Sequence, residues 1–240
     1  MLFFFPFTSV LTVYAIAALG PAIFLMYYIY KQDKVEPEPG GLLWACVGRG
    51  VLAALCSIIL EMIGQRLLGI SRISQDSVAY TIILAFAIVA VAEEGMKYFF
   101  LYRRTWRDPN FNYRFDGIVY AAFVSLGFAA FENVEYVLQY GLSVALPRAV
   151  LSIPGHLGFS VVFGYFYGRA KLAADMGHPG KARANIIAGY LLAVFLHGTY
   201  DSCAMIRTQT ANTLFIVFVV VMYIVIFRLI RKESRTDRPV

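Results

Sequence analysis

Apolar residues in this chain come in long unbroken blocks, without the alternation of a half-buried strand or the stripe of a surface helix. Seven runs, at roughly 6–30, 42–61, 78–101, 116–140, 146–168, 185–206 and 212–230, are separated by short segments that collect charge, proline and glycine. A block apolar on every side and about twenty residues long matches a helix crossing a hydrocarbon core about 30 Å thick. Inside lipid only helices and closed barrels satisfy their own backbone amides. The runs therefore predict an all-α polytopic bundle of about seven transmembrane helices, one integral-membrane domain over 1–240.

The first run is too long for a secretory leader and has neither a basic start nor a small-residue cleavage site, so it reads as a span. The connection KQDKVEPEPGG (31–41) reads as a loop and a hinge. Tyr27, Tyr28, Trp44, Trp106 and Tyr113 stand near run ends, where interfacial aromatics belong. Gly164 and Gly168 form a GxxxG pair suited to close helix packing. Cys46, Cys56 and Cys203 make no CxxC pair and read as small core residues.

Composition agrees with the pattern: the chain is 60% hydrophobic and 15% charged, against about 45–50% and 25% in soluble domains. The net charge of +6 has a topological explanation. Fifteen Lys and Arg residues fall in the connections after the first, third and fifth runs and in the tail, and only four fall on the other side. Short basic loops stay cytoplasmic, which predicts an external N-terminus and a cytoplasmic C-terminus. The charge then marks orientation and calls for no nucleic-acid partner.

Against this background a few polar residues stand out. In VAEEGMKYFF, Glu93, Glu94 and Lys97 lie within about one helical turn of a span, where each unpaired charge costs about 2.5–3.5 kcal/mol on insertion scales. Lys97 can reach either glutamate on one helix face, and a locking salt bridge would account for one of them. The second carboxylate is left over. Glu132 and Asn133 fall in GFAAFENVEY, His156 follows Pro154 and Gly155, and His197 and Asp201 are four apart on one face of the sixth run. Glu93 and His197 sit near mid-span, and Glu132, His156 and Asp201 in the outer half. Arg49 is either a counter-ion for these acids or a snorkelling side chain. Glu61 and Glu135 read as interfacial, and His178 as a solvated loop histidine. Four carboxylates facing one lysine, with Arg49 as a potential second cation, cannot all stay ionised in a low-dielectric site. A proton, a cationic imidazole or a metal has to intervene, and each suits acid–base chemistry.

The motifs EExxK (Glu93–Lys97), GFxxxEN (Gly127–Asn133), an intramembrane histidine (His156) and HxxxD (His197–Asp201), in this order over seven spans, resemble the PrsW family of intramembrane proteases. The resemblance covers nearly the whole chain. A more distant similarity to type II CAAX prenyl endopeptidases departs at Lys97, one position early, and at Glu132, which stands where a histidine would. The PrsW resemblance implies a bacterial plasma-membrane endopeptidase making the first, extracytoplasmic cut in a single-span anti-sigma factor. Glu93, Glu94, His156 and His197 are then the catalytic residues, with the general base either Glu93, taken first, or Glu94. Lys97, Glu132, Asn133 and Asp201 support them. No cofactor is expected, although zinc would suit His156, His197 and one carboxylate among Glu93, Glu94, Glu132 and Asp201. Other classes for the same residues are a proton- or ion-coupled transporter, which the lack of an internal repeat disfavours, and a non-catalytic scaffold binding a partner helix.

Overall fold

The computed structural model describes residues 4–240, with side chains from Leu11 onward. Seven long apolar helices account for it: α1 (Phe4–Gln32), α2 (Gly40–Ile70), α3 (Val78–Thr105), α4 (Asp116–Tyr140), α5 (Leu142–Asp175), α6 (Pro179–Met205) and α7 (Gln209–Arg235). The bundle is all-α, with one isolated bridge, Tyr113–Pro239, among the described residues. Helix starts follow local chemistry. Ser77 and Thr208 cap α3 and α7 by accepting from the Tyr80 and Ala211 amides, both at 3.1 Å, and Pro179 opens α6, where its missing N–H costs nothing. Gly141 (φ 79°) and Gly177 (φ 76°) end α4 and α5 in the left-handed region that glycine tolerates.

Three spans differ from the sequence expectation. Helix α2 runs on to Ile70, well past the end of its apolar run at 61. Helices α3 and α5 are also not regular. Leu84–Ala90 in α3 winds as a π-helix that returns to α-helix just before Glu93. The start of α5 passes through a 3₁₀ turn and a π turn at Arg148–Ser152 before regular helix begins at Ile153. Such wide turns rotate the following residues relative to an uninterrupted helix.

Helix α4 is buried along most of its length and packs against α1, α2 and α5. Its close approaches use glycine. A side-chain carbon on Gly117 would lie 2.7 Å from the Gly164 carbonyl oxygen, and one on Gly164 2.7 Å from Ile118 Cα. The GxxxG pair thus serves the α4–α5 crossing, with Gly168 facing the Arg114 backbone.

The C-terminal tail folds back over the start of α4. Phe115 N–H donates to Asp237 Oδ1 at 2.9 Å and Val240 N–H to the Asn112 carbonyl at 2.9 Å. Arg114 pairs with Glu233, and the Ser234 hydroxyl donates to the Gln32 carbonyl. The connection is a loop over 33–39, shorter than the expected 31–41 because α1 runs to Gln32 and α2 starts at Gly40, and it is no free hinge, because Asp33 and Glu38 are turned inside. Burial pushes the Asp33 carboxyl up from 3.8 to about 6 and Glu38 up from 4.5 to about 7, with neighbouring carboxylates adding to both.

Candidate active site

Helix α3 brings three charges to one buried point. Lys97 Nζ lies 3.1 Å from Glu93 Oε2 and 2.8 Å from Glu94 Oε1, and all three side chains are almost entirely shielded from solvent. Their i,i+4 and i,i+3 spacing makes both contacts available from one helix face. The ammonium's third hydrogen points to His156 Nδ1 at 3.0 Å, and the Phe128 ring centroid lies 4.0 Å from Nζ. The lysine is thereby saturated.

That saturation assigns the imidazoles. An ammonium only donates, so His156 Nδ1 accepts and its Nε2 carries the hydrogen, which is directed at Glu132 Oε2 3.0 Å away. The His156 ring is oriented from both sides. On α6, His197 Nδ1 donates to Glu94 Oε1 at 2.9 Å, while its Nε2 faces Asp201 Oδ2 at 3.3 Å and Glu93 Oε2 at 3.9 Å. Phe159 stacks on the His197 ring at 4.8 Å between centroids. A second cation closes the network: Arg148 donates to Glu132 Oε2 at 2.8 Å and to Asn133 Oδ1 at 2.9 Å. Asn133 in turn donates to the Ala18 carbonyl at 2.7 Å.

One side of this network meets open space. A chamber of about 650 Å³ is lined by Glu93, Glu132, His156, His197 and Asp201, with Glu61, Gln65 and Arg148 on its rim. An adjoining cleft of about 220 Å³ between α2, α3 and α4 also reaches Glu93 and Glu132. Glu94 and Lys97 stand behind this wall, away from the chamber. The site therefore has a front rank of Glu93, both histidines, Glu132 and Asp201, and a rear rank that holds their geometry. Four carboxylates against Lys97 and Arg148 leave an excess of two negative charges. A proton on Glu93, a proton on His197 or a bound cation would offset part of it.

All eight residues singled out from the sequence converge here, with one change of part. Asn133 is fully buried and never reaches the chamber; it is a strut between α1 and Arg148. Arg49 is exposed, which settles it as a snorkelling side chain. The second cation is Arg148, one of the four basic residues on the side opposite the basic loops. Its one signal was its position just inside the fifth run. Glu61 and Glu135 are not merely interfacial, since α2 extends beyond 61 and both residues line the cleft.

Glu93, Glu94, His156 and His197 each present a donor atom within 4.8 Å of the others. Two imidazoles with carboxylates are a donor set that zinc accepts. Lys97 already engages Glu93, Glu94 and His156 Nδ1, so a metal would have to take the chamber-facing atoms. The residues fit such an ion in type and spacing.

Residues 38–230 match the family described as "PrsW family intramembrane metalloprotease". The chain belongs to this family. PrsW relatives called "Protease PrsW" include one from Geobacillus kaustophilus, 35% identical over 77% of this chain and 76% of its own. Another, from Oceanobacillus iheyensis, is 32% identical over 92% and 96% of the two chains. A third, from Bacillus subtilis, is 28% identical over 83% and 84%. No solved structure matches the chain. Membership in the PrsW family makes this an integral membrane protease, and the bacterial relatives place it in the plasma membrane.

Proposed function

We propose that this PrsW-family chain hydrolyses a peptide bond of a single-span membrane protein of the anti-sigma-factor type, near the outer face, with Glu93 as the base that activates water. The observation that carries this reading is the pairing, across α3 and α6, of the Glu93 carboxylate with His197 Nε2, 3.9 Å apart at the chamber wall. Water in the chamber gives its proton to Glu93 as its oxygen attacks the scissile carbonyl carbon. The carbonyl oxygen gains negative charge, which the chamber-facing Nε2 edge of a protonated His197 is placed to stabilise; the Nε2–H of His156 joins it only on leaving Glu132. Glu93 then passes the proton to the departing amine as the C–N bond breaks. Lys97 and Glu94 fix Glu93 and His197, Asp201 sets the chamber-facing edge of His197, and Glu132 with Arg148 does the same for His156. A zinc ion held by the chamber-facing atoms of His156, His197 and Glu93 would add Lewis-acid polarisation of the carbonyl.

The test is purified protein in liposomes with a single-span substrate. Wild type should release a defined fragment; Glu93→Gln, Glu94→Gln, His156→Ala and His197→Ala should each slow release, and Glu93→Gln by about 10²–10⁴-fold. Stringent chelation followed by zinc addition separates the two chemistries. Retained turnover after chelation supports glutamate with imidazoles alone; loss restored only by zinc makes the centre metallic. Cleavage undiminished in Glu93→Gln would sink the assignment.

A further inference from the structure

A second group of carboxylates lies at the other end of the bundle and takes no part in the chemistry above. Asp33 follows α1, Glu38 precedes α2 and Asp116 is the first residue of α4, so three elements meet there. Each side chain offers an oxygen within 4.8 Å of the other two. The residues are 5%, 4% and 1% exposed. Asp33 Oδ2, Glu38 Oε2 and Asp116 Oδ1 have no hydrogen-bond partner among the described residues.

Buried polar atoms are nearly always paired, because an unpaired one forfeits its hydration without return. Three carboxyls that each leave one oxygen unpartnered, and that each offer an oxygen within 4.8 Å of the other two, mark a missing partner that is electron-poor. The opposite face of Asp116 is already anchored. Its Oδ2 accepts the Asn112 and Tyr113 amides at 3.0 and 2.7 Å, which fixes the carboxylate with Oδ1 turned to the cluster. No neighbouring basic side chain is paired with these carboxyls: Arg114 pairs with Glu233 through its terminal nitrogen and leaves its Nε–H without an acceptor, Arg104 pairs with Asp108, and Lys34 is exposed. The charges that weigh on Asp33 and Glu38 are other carboxylates, Asp237 and Glu36 among them.

We propose that Asp33, Glu38 and Asp116 form a site for a hard divalent cation, Mg²⁺ or Ca²⁺, separate from the proteolytic centre. The donors are oxygen only, without imidazole or thiolate, which suits these ions and not zinc. Three carboxylates at the mouth of a loop leave the remaining coordination positions to backbone carbonyls or water. The ion ties the α1–α2 connection to the first turn of α4, the helix that carries Glu132 at its far end. The tail residues 233–240 lie over the same turn, so binding there also bears on how firmly the tail is held.

The experiment uses full-length protein in a non-ionic detergent, stripped by chelation and exchanged into metal-free buffer. MgCl₂ and CaCl₂ are titrated against NaCl of equal ionic strength while melting is followed. In parallel, terbium emission sensitised by Tyr120, one helical turn along α4 from Asp116, is titrated and then competed with each ion. The expected result is a saturable rise in melting temperature with one or both ions, and terbium emission that the same ion displaces. Glu38→Gln and Asp116→Asn should weaken binding at least ten-fold. The Glu93→Gln/His197→Ala double variant should bind as wild type does, which separates this site from the chamber. Absence of both signals in the wild-type protein overturns the proposal, whatever the variants do. So does loss of the signals in the double variant with retention in Glu38→Gln. A melting temperature that responds only to pH and never to either ion assigns the cluster to shared protons instead.

Discussion

Lys97 carries more of the site's organisation than any other single side chain. It spends all three of its hydrogens on groups from two helices: Glu93 and Glu94 on α3 and His156 on α5. Removing one partner from a buried charge network leaves the others uncompensated, at a cost of about 3–5 kcal/mol. Lys97→Met is therefore expected to lower melting temperature and turnover together. Arg66→Met, at an exposed position on α2, should change neither. Equal and small effects of the two substitutions on melting and cleavage would remove the buried network from the account. These residues were legible in the sequence because charge inside an apolar run is costly and demands a reason. Arg148 was not, because an arginine at a span margin looks like any interfacial residue. Only the irregular first turns of α5 bring it to Glu132.

At the scale of elements, the spans themselves were readable from apolar length, and their boundaries were less so. The extension of α2 to Ile70 draws on GQRLLGI, whose charge and glycines mimic a connection. The π turns in α3 and α5 have no composition signature, yet they set which residues face the chamber. The 31–41 connection shows the same limit: Asp33 and Glu38 look like solvated loop acids until the fold buries them. Their protonation carries a pH signature. Glu38 rises from 4.5 to about 7 in the folded protein, under burial and the facing Asp33 and Glu36, with Tyr120 and Asp116 beside it. A raised carboxyl favours folding below its unfolded value, and that contribution is lost as pH climbs toward the folded one. In chelator, wild type should lose on the order of 1 kcal/mol between pH 4.5 and 7 through this group. Glu38→Gln should be spared that loss. Parallel stability–pH curves for the two proteins would contradict it.

At the scale of the molecule, the chamber lies toward the end of the bundle opposite the C-terminal tail, and the basic loops gather at the tail end. Loop charge predicts a cytoplasmic tail. A protease-sensitive tag after Val240 should stay protected in right-side-out vesicles and be cut in inverted ones. The reverse pattern would invert the topology and move the proposed cut to the cytoplasmic face.

The chamber's size bears on what can be cut there. A helix with its side chains is about 10–12 Å across and hides its own carbonyls within hydrogen bonds. No base can deliver water to a carbonyl so engaged, and in lipid the strand it would unwind to has nothing to bond with. A hollow of about 650 Å³ faced by carboxylates and imidazoles supplies those bonds for a few residues only. Substrates that already unravel locally, at a glycine or proline, should enter such a hollow most readily, so selectivity is expected to rest as much on how easily a foreign helix comes apart as on the side chains it presents.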